Sequence, residues 1–154
     1  MEERSPFTHI LVPTDGSEPS VNAGWLAIQI AATHHIPITF AYIVDTLAAE
    51  KMASVTSRNT EAIYADLENK GRSYLEYLAR LARNRGIDAN QVTRRGIPHR
   101  EIANLAREIS ADLIVIGQAG VGGPHRVDIG SVSRRVVESA PCPVLVARHP
   151  LPRR

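Results

Sequence analysis

The sequence lacks the features that would place the protein outside the cell or in a membrane. It has one cysteine, Cys142, so it cannot form an internal disulfide. No apolar run approaches the roughly 20 residues that a membrane-spanning helix needs. The N-terminus has no basic region followed by an apolar stretch, which would mark a secretory signal. We therefore expect a cytoplasmic protein with no membrane partner.

The sequence is also poor in features of nucleic-acid binding. Aromatic residues make up 5% of the chain, which leaves few platforms on which bases could stack. The formal charge is only +2, and the arginines are scattered in small pairs rather than concentrated on one segment. We expect no nucleic-acid partner.

What the sequence contains is typical of one globular domain. Its 154 residues, 44% hydrophobic and 22% charged, are enough to bury a core. There is no internal repeat and no linker. We predict a single domain over residues 1–154, with a core at about 7–148 and a frayed tail at 149–154.

Short apolar runs alternate with helical patterns along the chain. Each of these runs reads as a strand buried on both faces, and this alternation is typical of a parallel sheet covered by helices on both sides. We predict an α/β fold: a three-layer, open, parallel five-stranded, Rossmann-like sheet. The predicted strands are 8–13, 38–44, 91–94, 112–116 and 144–147. The first predicted helix is capped by Ser17 and ends near His34 and His35, and three more cover 60–85, 98–109 and 131–139. We expect valines 132, 136 and 137 of the last helix to face inward, and we predict a loop over 45–59.

A glycine-rich segment lies between the fourth strand and the last helix. Gly117, Gly120 and Gly130 allow a close backbone approach to a ligand, and consecutive amides there can form an anion-binding nest. The helix that starts at Ser131 adds unpaired N–H groups, and the Ser131 hydroxyl can donate to a phosphate oxygen. The segment is neither a P-loop nor a dinucleotide fingerprint, because it has no Lys before Ser131 and follows the wrong strand. A glycine-rich turn without a ligand remains the alternative.

Asp15 follows the first strand and is expected to face the same crevice, since ligands of such sheets bind beyond the carboxyl ends of the strands. Its carboxylate could accept a hydrogen bond from a ligand or help to hold Mg²⁺. The alternative is a turn aspartate in the Asp-Gly-Ser sequence.

The spacing Gly117-x2-Gly120-x9-Gly130-Ser131 resembles the G-x2-G-x9-G-[ST] pattern of the ATP-binding universal stress proteins. The resemblance extends to the opening strand and turn at 10–17, the fourth strand at 111–117, and the closing helix and strand at 130–132 and 140–146. It implies a sheet in the order 3-2-1-4-5 and a homodimer. It also implies that an adenine nucleotide is bound by Pro13, Thr14, Asp15, Ile43, Ile116, Gly117, Gly120, Gly130, Ser131 and Val132.

Two positions depart from the family pattern. Ala119 stands where many members have His or Arg, and Asp128 stands where an apolar residue is usual. If Asp128 faces the site, its carboxylate would repel a triphosphate by about 1 kcal/mol or more, which His125 and Arg126 could offset. The nucleotide could therefore be AMP, ADP or cyclic AMP rather than ATP.

The remaining expectations concern partners and chemistry. An uncovered final strand invites pairing with a second chain, so we predict a homodimer through Val144, Leu145 and Val146. No general base accompanies a nucleophile, so we expect no enzyme, although slow ATP hydrolysis is not excluded. The two hypotheses are a nucleotide-binding regulatory protein and a nucleotide-free dimeric interaction module.

Overall fold

In a computed structural model, which describes residues 3–119 and 129–148, five parallel strands form one sheet with helices on both faces. The strand order is β3-β2-β1-β4-β5, so the predicted fold class and order are confirmed. The elements in chain order are β1 Ile10–Pro13, α1 Glu18–His34, β2 Ile38–Asp45, α2 Thr46–Thr56, α3 Thr60–Asn84, β3 Ala89–Gly96, α4 Pro98–Glu108, β4 Leu113–Gly117, α5 Ser131–Ser139 and β5 Val144–Ala147.

The core has two halves because successive strand side chains point to opposite faces of the sheet. Ile10 and Val12 of β1 pack with α1, α2 and α3, whereas Leu11 packs with α4 and α5. All three are fully buried. This two-sided burial explains why β1, β2 and β4 read as continuous apolar runs.

The segment 45–59 was wrongly predicted as a loop, since residues 46–56 form the helix α2. Asp45 caps this helix by accepting hydrogen bonds from the amides of Leu47 and Ala48, both at 3.1 Å. The helix buries only Ala49 and Ala53. Two alanines one turn apart give almost no hydrophobic periodicity, so the helix left no clear signal in the sequence.

The strand β3 is twice as long as predicted. The prediction was too short because β3 lies at an edge of the sheet and is only partly buried, so its residues do not form an apolar run. Its register along β2 is set by a ladder of eight residue pairs, and arginines attach it to the helices on both faces. Arg94 forms two hydrogen bonds with Glu108 of α4, and Arg95 pairs with Glu68 of α3. Adjacent residues of a strand point to opposite faces, so Arg94 and Arg95 each reach a different helix layer. A search for alternating apolar residues does not detect such a charged segment.

Asp112, just before β4, ties the start of the chain to the sheet. Its carboxylate accepts hydrogen bonds from the Thr8 amide at 2.8 Å, the Thr8 hydroxyl at 2.8 Å and the His9 amide at 3.0 Å. Partial burial opposes ionisation of Asp112, but these bonds to His9 and Thr8 together lower its pKa below the usual value.

We expect Asp112→Asn to lower the free energy of unfolding at pH 7 by about 1 kcal/mol, since these bonds are partly exposed to solvent. Because the folded-state pKa is depressed, this stabilisation is full above the unfolded pKa of about 3.9 and is lost as the pH falls through the folded value. Urea denaturation of both proteins between pH 7 and pH 2.5 measures it. A difference that stays constant down to pH 2.5 would contradict the role of the charge.

Candidate functional site

The site lies where the first and fourth strands separate. Pairing of β1 with β4 stops at Leu11 and Ile114, whereas β1 continues along β2 to Pro13 and β4 continues along β5 to Gly117. The chain leaves β1 into α1 on one face of the sheet and α5 lies on the other face. Such a point is where doubly wound sheets open a crevice for ligands.

This crevice holds a cavity of about 640 Å³, a volume typical of small-molecule sites. Every predicted site residue that the structure describes lines it: Pro13, Thr14, Asp15, Ile43, Ile116, Gly117, Gly130, Ser131 and Val132. The predicted site residue Gly120 lies outside the described residues, as do His125, Arg126 and Asp128. The sequence pattern therefore brings residues from β1, β2, β4 and α5 to one place.

The turn after β1 is organised by its own side chains. The buried Thr14 hydroxyl lies 2.9 Å from the Ser20 hydroxyl and accepts the Gly16 amide at 3.2 Å. The Asp15 carboxylate accepts the Ser17 amide at 2.9 Å, which is the turn contact predicted as the alternative role of this residue. Asp15 is also exposed and lines the cavity wall.

Gly117 is explained by packing between β4 and α1. A Cβ at this position would lie 2.9 Å from the carbonyl carbon and oxygen of Pro19 and 3.1 Å from the Ser20 amide nitrogen. A glycine is therefore required here whether or not a ligand is present. By contrast, Gly130 has a φ of −62°, which any residue adopts.

Four helices begin at the crevice, α1, α2, α4 and α5, and their N-termini differ. Asp45 caps α2, and α4 begins with Pro98, which has no amide hydrogen. The helix α1 is capped by Ser17, whose side chain accepts the Ser20 amide. The helix α5 begins after Gly130 and has no side-chain cap among the described residues. The amides of its first turn and its dipole therefore make the α5 N-terminus the strongest anion-binding end of the four.

Tyr42 and Tyr74 form an aromatic wall behind the turn that carries Asp15. Their ring centroids are 6.2 Å apart, and Tyr42 lines the cavity. Burial, with smaller contributions from Tyr74 and the Asp15 carboxylate, raises the pKa of Tyr42 above its usual value. Tyr42 is therefore a neutral hydroxyl at physiological pH.

Other lining residues were not predicted from the sequence: Ser20, Tyr42, Asp45, Ala48, Met52, Leu67, Pro98, Ile102, Ala119 and Ser133. Asp45 could have been found, because it stands at the carboxyl end of β2 as Asp15 stands just past that of β1, and the same edge rule applies to both. Met52 could not have been found because it belongs to α2, which was missed. Leu67 lies on the correctly predicted α3, but its place at the cavity depends on tertiary packing. Most of these additional side chains are apolar, so they give the cavity a hydrophobic wall.

The charge of the cavity is carried by Asp15 and Asp45, and its described lining has no Lys, Arg or His. An anionic group of a ligand would therefore be held by backbone amides and hydroxyls rather than by side-chain cations. Within residues 3–119 and 129–148, no three His, Cys, Asp or Glu side chains are grouped as a metal site. The described helices include none that is long and apolar enough to span a bilayer.

The fold and the crevice define a doubly wound α/β protein with a ligand-sized cavity at its switch point. The model of the universal stress protein family matches residues 6–148. Universal stress protein MJ0531 of Methanocaldococcus jannaschii is 34% identical over 144 residues, which cover 94% of this chain and 84% of the relative. The chain belongs to the universal stress protein family, which confirms the resemblance.

Solved structures of the family share this fold. Universal stress protein UspA from Lactobacillus plantarum has 31% identity and a TM-score of 0.72, with 96% of this chain and 100% of that chain covered. A universal stress protein in complex with cAMP has 24% identity and a TM-score of 0.66, with 94% and 98% covered. A family member from Arabidopsis thaliana with AMP bound has 16% identity and a TM-score of 0.62, with 92% and 91% covered. The last two support the fold alone.

Proposed function

We propose that this protein is a regulatory universal stress protein of the cytoplasm that binds an adenine nucleotide in the crevice. The observation that carries the proposal is that the α5 N-terminus, which has no side-chain cap in the described part of the chain, meets a largely apolar cavity of about 640 Å³ at the switch point of the sheet. Family members with this fold hold cAMP and AMP. In support, every described residue of the predicted nucleotide site lines this cavity.

In the proposed complex, the two ends of the nucleotide meet different surroundings. The phosphate lies at the amides of Ser131 and Val132, with the Ser131 hydroxyl as a further donor. The adenosine lies toward Pro13, Asp15 and Ile43, where Asp15 can accept a hydrogen bond from a ribose hydroxyl or a base amine. Because the described lining has no cation, we propose that AMP or cAMP binds more tightly than ATP. If Mg²⁺ takes part, it binds as a complex with the phosphates of the nucleotide.

Titration calorimetry with adenosine, AMP, cAMP, ATP and GMP tests this proposal. We expect AMP or cAMP to bind at micromolar concentrations and GMP to bind at least tenfold more weakly. Parallel ATP titrations with magnesium and with a chelator show whether the metal contributes. If no adenine compound binds at millimolar concentration, the proposal is wrong.

We propose binding rather than turnover. Asp15 and Asp45, the carboxylates of the cavity, each accept backbone amides in a turn or a helix cap, which is a structural role for both. Incubation with ATP followed by phosphate detection tests this, with slow hydrolysis as the alternative outcome. Turnover faster than about one per minute would contradict a purely regulatory role.

The second candidate is a nucleotide-free interaction module of the same fold. It is favoured by Gly117 and Thr14, both of which have packing or turn roles that need no ligand. This candidate predicts that the purified protein retains no small molecule. Denaturation of the protein followed by mass spectrometry of the released compounds distinguishes the two candidates.

For either candidate we propose a homodimer through β5. This strand is at the edge of the sheet, and Val144, Leu145 and Val146 are only partly buried in the single chain. An apolar edge with free backbone groups can pair with the same edge of a second copy.

We expect Val144→Lys to convert the dimer into a monomer, because a charged side chain on the edge disfavours strand pairing. Sedimentation equilibrium should give twice the chain mass of 16.8 kDa for the wild type and the chain mass for the variant. The matched control is Val55→Lys, since Val55 is 77% exposed on α2, away from β5. A wild-type monomer at micromolar concentration would contradict this prediction.

A further inference from the structure

Ser133, in the first turn of α5, is a buried polar residue beside the crevice. It is 5% exposed, and its hydroxyl donates a 2.7 Å hydrogen bond to the carbonyl oxygen of Gly117. Neither the glycine pattern nor the family resemblance assigned it a role. A buried hydroxyl with a single short bond across two elements fixes their relative position.

The carbonyl that Ser133 binds lies at a fixed point of the crevice. Gly117 is the last residue of β4, and β1 has already separated from β4 at Ile114, so β1 supplies no partner for this carbonyl. The backbone of Gly117 is also held against the first turn of α1 by the close approach to Pro19. The Ser133 hydroxyl therefore anchors α5 to a part of the sheet that has little freedom to move.

A second bond holds the same helix end from the other side. The Gly130 amide donates to the Gln118 carbonyl at 2.7 Å, and the Gln118 amide donates to Ala147 of β5 at 2.9 Å. The first turn of α5 is thus attached at Gly130 and at Ser133. Ser131 and Val132, whose amides face the proposed phosphate, lie between these two attachments.

We propose that Ser133 is a positioning residue for phosphate binding: through the Gly117 carbonyl it holds the amides of Ser131 and Val132 in line with the phosphate, while its own hydroxyl stays bonded to the protein. Loss of the hydroxyl lets the first turn of α5 tilt, and the amides then no longer converge on one anion. The adenosine part of the site, on β1 and β2, is unaffected. This inference rests on the proposed function.

The test compares AMP with adenosine, because the two ligands differ only in the phosphate. In Ser133→Ala we expect the dissociation constant for AMP to rise about fivefold or more, and that for adenosine to change less than about twofold. The matched control is Ser139→Ala in the same helix, whose exposed hydroxyl donates to the Arg135 carbonyl at 2.6 Å. The control should leave both constants unchanged.

Conservative variants separate positioning from a general loss of stability. Ser133→Thr keeps the hydroxyl and should restore the wild-type ratio of AMP to adenosine affinity. If Ser133→Ala does not fold, Ser133→Cys provides the same comparison, since its thiol is of similar size and a weaker donor.

Equal losses of affinity for both ligands in Ser133→Ala, or no loss for either, would overturn the inference. If the wild type binds AMP in the same experiment, the proposed function is still upheld. Absence of AMP binding by the wild type would overturn the proposed function itself, and this inference with it.

Discussion

Replacing Gly130 with aspartate is expected to abolish the thermal stabilisation that AMP gives, without lowering the stability of the ligand-free protein. Gly130 is the N-cap of α5, with a φ of −62° and a ψ of 159°, and aspartate adopts this conformation readily as an N-cap. Its carboxylate would bind the free amides of the helix and complement the helix dipole. The same contacts would compete with a phosphate and repel it.

The magnitude of this effect follows from the linkage between binding and stability. At a concentration 100 times its dissociation constant, AMP stabilises the wild type by about 2.7 kcal/mol, or roughly 5–10 °C in melting temperature. We expect no shift for Gly130→Asp, while its ligand-free melting temperature stays equal to or above that of the wild type. Thermal denaturation monitored by circular dichroism, with and without AMP, measures both the AMP-induced shift and the ligand-free melting temperature.

The matched control for charge is Gly130→Asn, which is also a good N-cap but is neutral. Its affinity for AMP should fall below that of the wild type and stay at least tenfold above that of Gly130→Asp. If the aspartate variant keeps the full AMP shift, the phosphate does not bind at the α5 N-terminus.

Gly117→Ala is expected to lower the free energy of unfolding by about 2–3 kcal/mol. The new methyl group would lie 2.9 Å from the Pro19 carbonyl carbon and oxygen, closer than real Cβ contacts. The obstacle is the backbone of α1, so the clash can be relieved only by moving the helix or the strand, as in an overpacked core. Urea denaturation at pH 7 measures the loss.

Gly24→Ala is the control for this prediction, because it adds the same methyl group against a flexible side chain. Its Cβ would lie 2.8 Å from a terminal methyl of Leu78, which can rotate away, and alanine is favoured within a helix. We expect a change within about 1 kcal/mol. Equal effects of the two substitutions would show that α1 yields as easily as a leucine side chain.

Much of the fold could be predicted because its central strands are buried on both faces. The strands β1, β2 and β4 read as unbroken apolar runs, and Ser17, Pro98 and Ser131 mark helix starts at or next to the observed ones. The prediction failed where burial was shallow. The helix α2 buries only two alanines, and β3 is held by arginine–carboxylate pairs, so neither had an apolar period that could be read.

The last helix shows the limit of periodicity within an element that was placed correctly. Val132 and Val137 were expected to face inward, but they are 40% and 47% exposed, whereas Ser133 and Val136 are buried. Val132 faces the crevice at the start of the helix, and Ser133 is buried because its hydroxyl has a carbonyl partner on β4. Hydrophobicity alone does not predict burial of a serine whose hydrogen bond depends on a residue 16 positions away.

The candidate site was predictable in outline for a different reason. The residues that end β1, β2 and β4 must meet at one edge of a parallel sheet, so their convergence follows from the topology. The contribution of α2 and α3 to the cavity did not follow, because it depends on how the two helices between β2 and β3 fold back over the crevice. Met52 and Leu67 lie there only through tertiary packing.

The central claim is that the backbone amides at the start of α5 receive the phosphate of an adenine nucleotide. An NMR titration of ¹⁵N-labelled protein with AMP, compared with adenosine, tests it most directly. The account predicts that the amides of Ser131 and Val132 shift strongly with AMP and little with adenosine, while residues of the β1 turn such as Asp15 respond to both ligands. Unchanged α5 amides at saturating AMP, or equal shifts with the two ligands, would contradict it.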